Sequence, residues 1–300
     1  MLKSISVTND LEKTMDIKLS EMDDSGLLLA NIVGLGPGKA EIKMAEIVSL
    51  DGGMIVGGRL PIRNIILTFF FMFDPIIEDS RQRTYVYFPI KRRIRLEFHT
   101  DNRDVFIDGT VESNEPIIFS EQTGTQISVL CEDPYFKSVE ETEVMFSGTK
   151  SQFMFPFSNP VGLKKLVMSQ LIFRTEENVY YDGATDTGVI ISIFCRGPVG
   201  TITIYQISTR QQITISKQKI IENSGAQLNT GDRLIISSIR GDRYVRLIRN
   251  GIITNVLNVL ERGSDWLVLE NGDNIFAFDA DEGLQSLEIS LAFNNLYEGV

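Results

Sequence analysis

The feature that most constrains the fold is a strict alternation of apolar and polar residues. It is clearest in the stretch SLEISLAF, residues 286–293, where leucine, isoleucine and phenylalanine occupy every second position. Because successive side chains of a β-strand point to opposite faces, this pattern predicts a strand with one buried and one solvated face. Similar segments recur along the chain, whereas long stretches of helical periodicity are nearly absent. We therefore expect a mainly β protein.

Turn signals separate the alternating segments at short intervals. The pair Asn250-Gly251 stands between two apolar-rich runs, which is the strongest short-range signal for a β-hairpin. Similar pairs occur at Asp108-Gly109, Asp182-Gly183 and Asn271-Gly272. This spacing of strands and turns is typical of a sandwich or a barrel.

One helix is predicted within this β pattern, from about residue 75 to residue 88. Asp74 is a good N-cap, Pro75 fits the first helical position, and Pro89 stops the helix. An apolar stripe at helical spacing is expected to pack on a sheet. Its predicted members are Ile77, Tyr85 and Phe88.

Length and charge set the broad class of protein. A chain of 300 residues is near the length at which one hydrophobic core divides into two, so we expect two domains, residues 1–139 and residues 140–300. The net charge of −11 argues against a general nucleic-acid binder, which needs lysine and arginine to neutralise phosphates. The N-terminal segment carries acidic residues throughout and lacks an apolar signal core, so no secretion signal is expected.

The most apolar segment is the run IILTFFFMF, residues 65–73. It is far shorter than the ~20 residues that a transmembrane helix needs, so we interpret it as a strand. Both faces of this strand would be apolar. One face can fill the core, and the second, with Ile66, Phe70 and Met72, needs another cover. That cover is either the predicted helix or a neighbouring subunit of an oligomer.

Residues suited to chemistry are sparse. His99 is the single histidine and no nucleophile motif accompanies it, while the paired glycines of residues 52–58 lack the order of a phosphate-binding loop. Cys131 and Cys195 stand far apart and are interpreted as buried, reduced thiols. Trp266 is assigned to core packing, with stacking on a sugar ring as the alternative. We therefore predict no catalytic residue, no metal ligand and no cofactor.

Several motifs resemble one known family when they are taken together. The N-terminal motifs are GPGKAEIK, DGGMIVGGRLPIRNIILTFFF, DPIIEDSRQRTYVYFP and ISVLCEDPYFK. A C-terminal stretch that begins at NTGDRLIISS and the ending NNLYEGV complete the pattern. In these features the chain resembles the distal tail proteins of siphophages, which are hub components of the tail tip. The resemblance covers nearly the whole chain and rests on structural motifs.

The resemblance implies an N-terminal β-barrel-like tail-hub domain with one helix, followed by a C-terminal galectin-like antiparallel β-sandwich. It implies a hexameric ring that connects the tail tube protein to the tail-associated hub protein, and in some phages to receptor-binding proteins. The implied location is the tail tip of the virion, after assembly in the cytoplasm of the bacterial host. No membrane insertion and no nucleic-acid specificity are expected. The alternative function is a carbohydrate-binding module that acts in host adsorption through the C-terminal sandwich and Trp266.

Overall fold

The structure is a computed structural model that describes residues 1–19, 25–46, 51–72, 76–117, 122–151 and 169–300. The chain forms two compact units. Unit 1 comprises Met1–Glu140 together with Leu296–Val300, and unit 2 comprises Glu141–Asn295. The return of the C-terminal residues to unit 1 was not indicated by the sequence.

The elements of unit 1 follow one another from the N-terminus. They are β1 (Leu2–Asn9), β2 (Thr14–Lys18), β3 (Leu27–Val33), β4 (Glu41–Glu46), β5 (Gly53–Arg59), β6 (Arg63–Phe71), α1 (Ile77–Tyr87), β7 (Arg93–Thr100), β8 (Asp104–Ile117), β9 (Gly124–Cys131) and β10 (Phe136–Ser138).

Unit 2 follows, and the last strand then returns to unit 1. The remaining elements are β11 (Thr142–Ser151), β12 (Ser169–Phe173), β13 (Glu176–Tyr181), β14 (Thr187–Gly188), β15 (Ile190–Cys195), β16 (Ile202–Gln206), β17 (Gln211–Ile215), α2 (Lys217–Ser224), β18 (Arg233–Ser237), β19 (Tyr244–Arg249), β20 (Ile252–Asn255), β21 (Val268–Leu269), β22 (Gly272–Ala280), β23 (Leu287–Phe293) and β24 (Leu296–Tyr297).

Unit 1 is built around one antiparallel sheet. Its main path runs β2-β1-β7-β8-β9-β6-β3, and β10 joins β8 to the C-terminal strand β24. A closed barrel would require the two end strands to exchange backbone hydrogen bonds. The described residues of β2 and β3 do not pair with each other, so the predicted barrel-like domain is an open sheet.

The core of unit 1 collects large side chains from most of the strands on this path. The ring of Phe69 lies 6.1 Å from that of Phe88, and Phe98 meets Phe136 edge to face at 5.8 Å. All four side chains are fully buried. Burial of a phenylalanine stabilises a fold by about 1.5–3 kcal/mol, so these aromatic pairs contribute to the stability of the sheet.

Helix α1 confirms the predicted helix but differs from it in detail. The helix begins at Ile77, and residues 74 and 75, the predicted cap and first turn, lie outside the described residues. The buried line runs through Ser80, Thr84 and Phe88, while Tyr85 is exposed. The buried stripe of the helix is therefore partly polar, which an apolar periodicity could not indicate.

Unit 2 is built from two main antiparallel sheets that share one core. One sheet has the order β12-β11-β23-β15-β18-β19-β20 and the other has the order β13-β22-β16-β17. Residues from both sheets, including Ile191, Phe276 and Ile289, are buried together. The short strands β14 and β21 pair separately, and α2 adds a second helix that the sequence did not indicate.

Two local predictions are confirmed in unit 2. Asn250 and Gly251 both have positive φ, at 52° and 79°, in the tight turn between the paired strands β19 and β20. Strand β23 alternates between buried and half-buried side chains along its whole length, as the sequence pattern predicts. No helix in the described part of the chain is long and apolar enough to span a membrane.

Candidate assembly surface

The most unusual feature of unit 1 is the hairpin formed by β4 and β5. Every residue of both strands is exposed, although the strands carry several large apolar side chains. These side chains are Ile42, Met44, Met54, Ile55 and Val56, with exposed fractions between 55% and 71%. Contiguous exposed apolar surface of this kind marks an interaction site more often than a free surface.

The register of the hairpin places apolar side chains on both of its faces. Met44 lies opposite Ile55, while Ala45 lies opposite Met54 on the other face. The pairing shifts between Lys43 and Met44, which is the signature of a β-bulge. Gly52, just before β5, has a φ of 99°, a conformation that glycine adopts without steric cost.

The segment that leads from β3 towards the hairpin passes close to β6 at Gly34. At Gly34 φ is 99°, and a Cβ atom there would lie 2.4 Å from the carbonyl oxygen of Asn64. Glycine is therefore the residue that fits this approach of two backbones. At the open end of the hairpin, the Nε of Arg59 donates a hydrogen bond of 2.9 Å to Glu41 across the two strands.

The outer face of β6 forms a second apolar area on unit 1. The strand alternates as predicted, with Ile65, Leu67, Phe69 and Phe71 buried. On the opposite face Ile66, Phe70 and Met72 are half-buried. Their neighbours on β3 extend the area: Leu28 pairs with Phe70 and Val33 pairs with Ile66, and both β3 side chains are exposed.

Helix α1 packs on the core face of this sheet. Its C-cap residue Phe88 contacts Phe69, as described above. Within the helix, Thr84 Oγ1 accepts a hydrogen bond of 3.3 Å from Asn114, whose Oδ1 accepts one of 2.6 Å from Thr125. Thr125 lies opposite Phe69 in the sheet register, so this polar chain is on the core face too. The described contacts of the helix therefore lie on the side opposite to Ile66 and Phe70.

The structure is similar to two solved phage structures. The Dit protein of phage SPP1, described as a paradigm of the hub adsorption apparatus in phages that infect Gram-positive bacteria, matches with a TM-score of 0.66 at 13% identity. That match covers 98% of this chain and 99% of the SPP1 chain. The chain has the fold of phage Dit proteins. The resemblance stated from the sequence is thus confirmed at the level of the fold.

A second match comes from the structure of the baseplate of phage P2 in its activated conformation with Ca. The TM-score is 0.52 at 8% identity, and the match covers 100% of both chains. No protein-family model and no curated protein matches the sequence. The similarity is therefore one of fold, and it covers residues of both units.

Trp266, the predicted core or sugar-stacking residue, lies in unit 2 of this Dit fold. Its ring is half-buried and packs against the core. The guanidinium of Arg243 lies 5.3 Å from the ring centroid. The indole therefore has a cation on its ring and core residues beside it. The sugar-stacking role stays a prediction.

Groups suited to catalysis are sparse in the described part of the Dit fold. His99 lies on β7 between Ser6 and Asp104, each at 3.2 Å from a ring nitrogen, and holds neighbouring strands together. Among the described residues, no group of three or more His, Cys, Asp or Glu side chains is placed to hold a metal ion.

The two thiols provide a test of the cores of both units. Cys131 and Cys195 are buried and unpaired, and desolvation raises the pKa of each thiol from 9.0 to about 12. Because the thiolate is the reactive form, both should resist iodoacetamide at pH 8 until the chain unfolds. Mass spectrometry before and after addition of guanidinium chloride checks this result. Rapid alkylation of both thiols in the folded chain would contradict their buried placement.

The same shift predicts the direction of a pH effect on stability. Since the folded pKa lies above the unfolded one, the contribution of each thiol is complete below about pH 9 and is lost as the pH rises towards 12.

Proposed function

We propose that this chain is a structural protein of a phage tail tip. In this proposal, six copies form a ring through unit 1, and the ring connects the tail tube to the tail-tip hub or baseplate and to the host-recognition apparatus. Two observations support it. The fold matches the Dit protein of SPP1 over nearly the whole of both chains, and unit 1 carries an exposed apolar hairpin that needs a partner.

The two apolar areas of unit 1 suggest how the ring would form. The hairpin and the outer face of β3 and β6 are different surfaces of one unit, and both keep large apolar side chains exposed. A contact between different surfaces is heterologous, and it generates a ring when the rotation between copies closes. We propose that the hairpin of one copy covers Leu28, Val33, Ile66 and Phe70 of the next. Strand β3 is also an end strand of the described sheet, so it can accept an added strand.

The proposed partners follow from this role. They are the tail tube protein and the tail-associated hub protein, with a receptor-binding protein as a further candidate. The proposed location is the tail tip of the virion, reached after assembly in the cytoplasm of the bacterial host. We propose a galectin-like arrangement for unit 2, supported by its two antiparallel sheets around one core. The role is structural rather than enzymatic, in keeping with the sparse chemistry of the described surface.

The alternative, a carbohydrate-binding module in unit 2, ranks second. It rests on Trp266, whose ring is half-buried and faced by Arg243. A sugar-stacking residue works best with an open ring face. The assembly role has more support in the exposed hairpin.

The assembly test replaces two apolar side chains on one face of the hairpin. The Met44→Ser/Ile55→Ser variant should stay folded and lose the ring, because neither side chain contributes to the core of unit 1. Two such side chains stabilise a contact by about 4 kcal/mol when fully buried, so the association constant should fall about a thousandfold. Sedimentation velocity and negative-stain images of the purified full chain measure the change.

A matched control separates the hairpin from general surface polarity. The Leu11→Ser/Ile90→Ser variant also removes two exposed apolar side chains from unit 1, but away from the hairpin. It should form rings like the unchanged chain. An unchanged chain that stays monomeric at high concentration, even with tail partners present, would count against the proposed ring.

A further inference from the structure

The outer face of β18, β19 and β20 in unit 2 combines arginines with aromatic and apolar side chains. The register shows that these residues share one side of the sheet, since Arg233 lies opposite Phe194 and Ile248, and Ile248 lies opposite Ile253. Intervening residues such as Leu234 and Leu247 are buried on the other side. We call this surface the arginine face. Its members are Phe194, Arg233, Ile235, Tyr244, Arg246, Ile248 and Ile253.

The two arginines of this face lie against aromatic rings. The guanidinium carbon of Arg246 is 3.7 Å from the ring centroid of Tyr244, and that of Arg233 is 5.8 Å from the centroid of Phe194. A guanidinium that stacks on an aromatic ring keeps its N–H donors in its own plane, where they can bind a carboxylate. Within the described residues, neither arginine has a carboxylate oxygen within 4.0 Å of its nitrogens. Both positive charges are exposed on an otherwise acidic chain.

The arginines of unit 1 show the contrast. Arg92 donates a hydrogen bond of 2.7 Å to Asp10, and Arg95 donates one of 2.8 Å to Asp108 while its guanidinium lies 4.1 Å from the ring centroid of Phe106. The basic run of residues 91–95 is therefore largely neutralised by carboxylates of its own unit. The arginine face has the aromatic contact without the carboxylate, so its charges are available to a partner with negative charge.

The apolar part of this surface lies at an open sheet edge. Ile253, a member of this face on β20, is 65% exposed, and its neighbour Ile252, which points to the opposite side of the sheet, is 68% exposed. In the described part of the sheet, β20 pairs with β19 alone, so the backbone groups of its other side are open. Such an edge is a template for an added strand. Arginine, tyrosine and exposed isoleucine together are typical of protein interfaces, whereas a polyanion site needs the positive charge alone.

We propose that β20 and the arginine face dock an extended acidic segment of a partner protein, which adds to the sheet as a strand beside β20. The isoleucines cover the apolar side chains of that segment, and Arg233 and Arg246 attract its carboxylates. The inference rests on the proposed hub role for its biological meaning, since a hub binds other proteins. It does not depend on ring formation. A chain that forms rings and ignores acidic strands would overturn this inference and leave the hub role standing.

The test uses the full chain and a fluorescent peptide of alternating valine and glutamate. Fluorescence anisotropy should detect binding that weakens as the salt concentration rises. The Arg233→Gln/Arg246→Gln variant should bind about tenfold more weakly, because arginines are frequent anchors of interfaces. The Arg92→Gln/Arg93→Gln variant removes the same charge from unit 1 and should keep the affinity.

Two further measurements identify the mode of binding. Hydrogen exchange should show new protection of the backbone amides of Ile252–Asn255 when the peptide binds. The Ile253→Ser variant should weaken binding of the peptide but not that of inorganic polyphosphate. Binding of polyphosphate alone would reveal a polyanion site and overturn the proposal. Self-association that is lost in the Arg233→Gln/Arg246→Gln variant would overturn it too, because the occupant would then be a second copy. Unprotected β20 amides in a bound complex would refute strand addition.

Discussion

Replacing Arg63 by methionine is expected to lower the free energy of unfolding of unit 1 by about 4 kcal/mol. The Arg63 side chain is only 6% exposed. Its guanidinium donates to backbone carbonyl oxygens of three separate segments. The acceptors are Pro134 at 2.6 Å, Gly34 and Gly36 at 2.6 Å and 2.7 Å, and Glu298 at 2.7 Å.

The size of the expected effect follows from what methionine leaves behind. A buried carbonyl without a donor costs about 1–3 kcal/mol, and Arg63 serves four carbonyls at once. Burial lowers the pKa of the Arg63 guanidinium, in part offset by Cys131 and Glu298. The guanidinium also lies 4.6 Å from the ring centroid of Phe136, a contact that favours the cation.

Loss of Arg63 should also release the C-terminal segment from unit 1. Tyr297 pairs with Phe136, and the backbone N–H of Val300 donates to Leu35. These bonds lie beside the Glu298 carbonyl that Arg63 binds. In the Arg63→Met variant, hydrogen exchange of residues 296–300 should therefore be faster, and carboxypeptidase should remove this segment.

Two controls define the result. Arg63→Lys keeps the charge, but the single ammonium group of lysine cannot reach all four carbonyls as the planar guanidinium does. This variant should therefore lose about half as much stability. Arg59→Met removes an exposed arginine with one ion pair, and its effect should stay within about 0.5 kcal/mol. If Arg63→Met unfolds at the same denaturant concentration as the unchanged chain, Arg63 does not fasten these segments.

The role of Arg63 shows where prediction from the sequence ends. The alternation of β23 and the turn at Asn250-Gly251 depend on residues that are neighbours along the chain, so local patterns predict them well. Arg63 and Glu298 are 235 positions apart, and no local pattern connects them. The return of β24 to unit 1 therefore depends on contacts between residues that are far apart in the sequence, which no local pattern contains.

Helix α2 was missed for a related physical reason. Helix α2 has eight residues, and of these only Ile220 is buried. A helix with one buried position has no apolar periodicity to detect. Its ends did carry signals, since Ser216 precedes the helix and Gly225 ends it with a φ of 79°.

The candidate assembly surface was predicted in part. The apolar second face of β6 was expected from the sequence, and the structure shows Ile66 and Phe70 half-buried on it. The exposure of the hairpin was not expected, because Met44 and Ile55 would look the same in a buried strand. Exposure depends on which elements lie above a strand, and that is a property of the fold.

Replacing Arg249 by methionine is the second change with a large expected effect, a loss of about 3–5 kcal/mol in unit 2. Arg249 donates two hydrogen bonds to Asp232, of 2.9 Å and 2.7 Å, and one of 2.9 Å to the carbonyl of Gln227. Asp232 is only 4% exposed. The bonds to Asp232 raise the pKa of Arg249, against the opposing effect of its own desolvation. Methionine would leave the Asp232 carboxylate buried without a cation.

The same pair links the end of α2 to the sheet. Arg249 also approaches Ser224 Oγ at 3.2 Å, and Asp232 accepts a hydrogen bond of 2.9 Å from the backbone of Asn229. Chemical unfolding of the full chain, followed by hydrogen exchange in residues 224–232, measures the loss. The Asp232→Asn/Arg249→Met variant should be more stable than Arg249→Met alone, because the uncompensated charge is gone.

Arg246, whose side chain faces outwards, supplies the control for this second prediction. Arg246 lies on the same strand, stacks on Tyr244 and has no carboxylate partner among the described residues. Arg246→Met should therefore change the stability by less than about 1 kcal/mol. Equal losses in Arg246→Met and Arg249→Met would show that the strand needs a long cationic side chain in general. A loss confined to Arg249→Met would locate the effect in the buried pair. It would also show that Arg246, a member of the arginine face, can be replaced without unfolding unit 2.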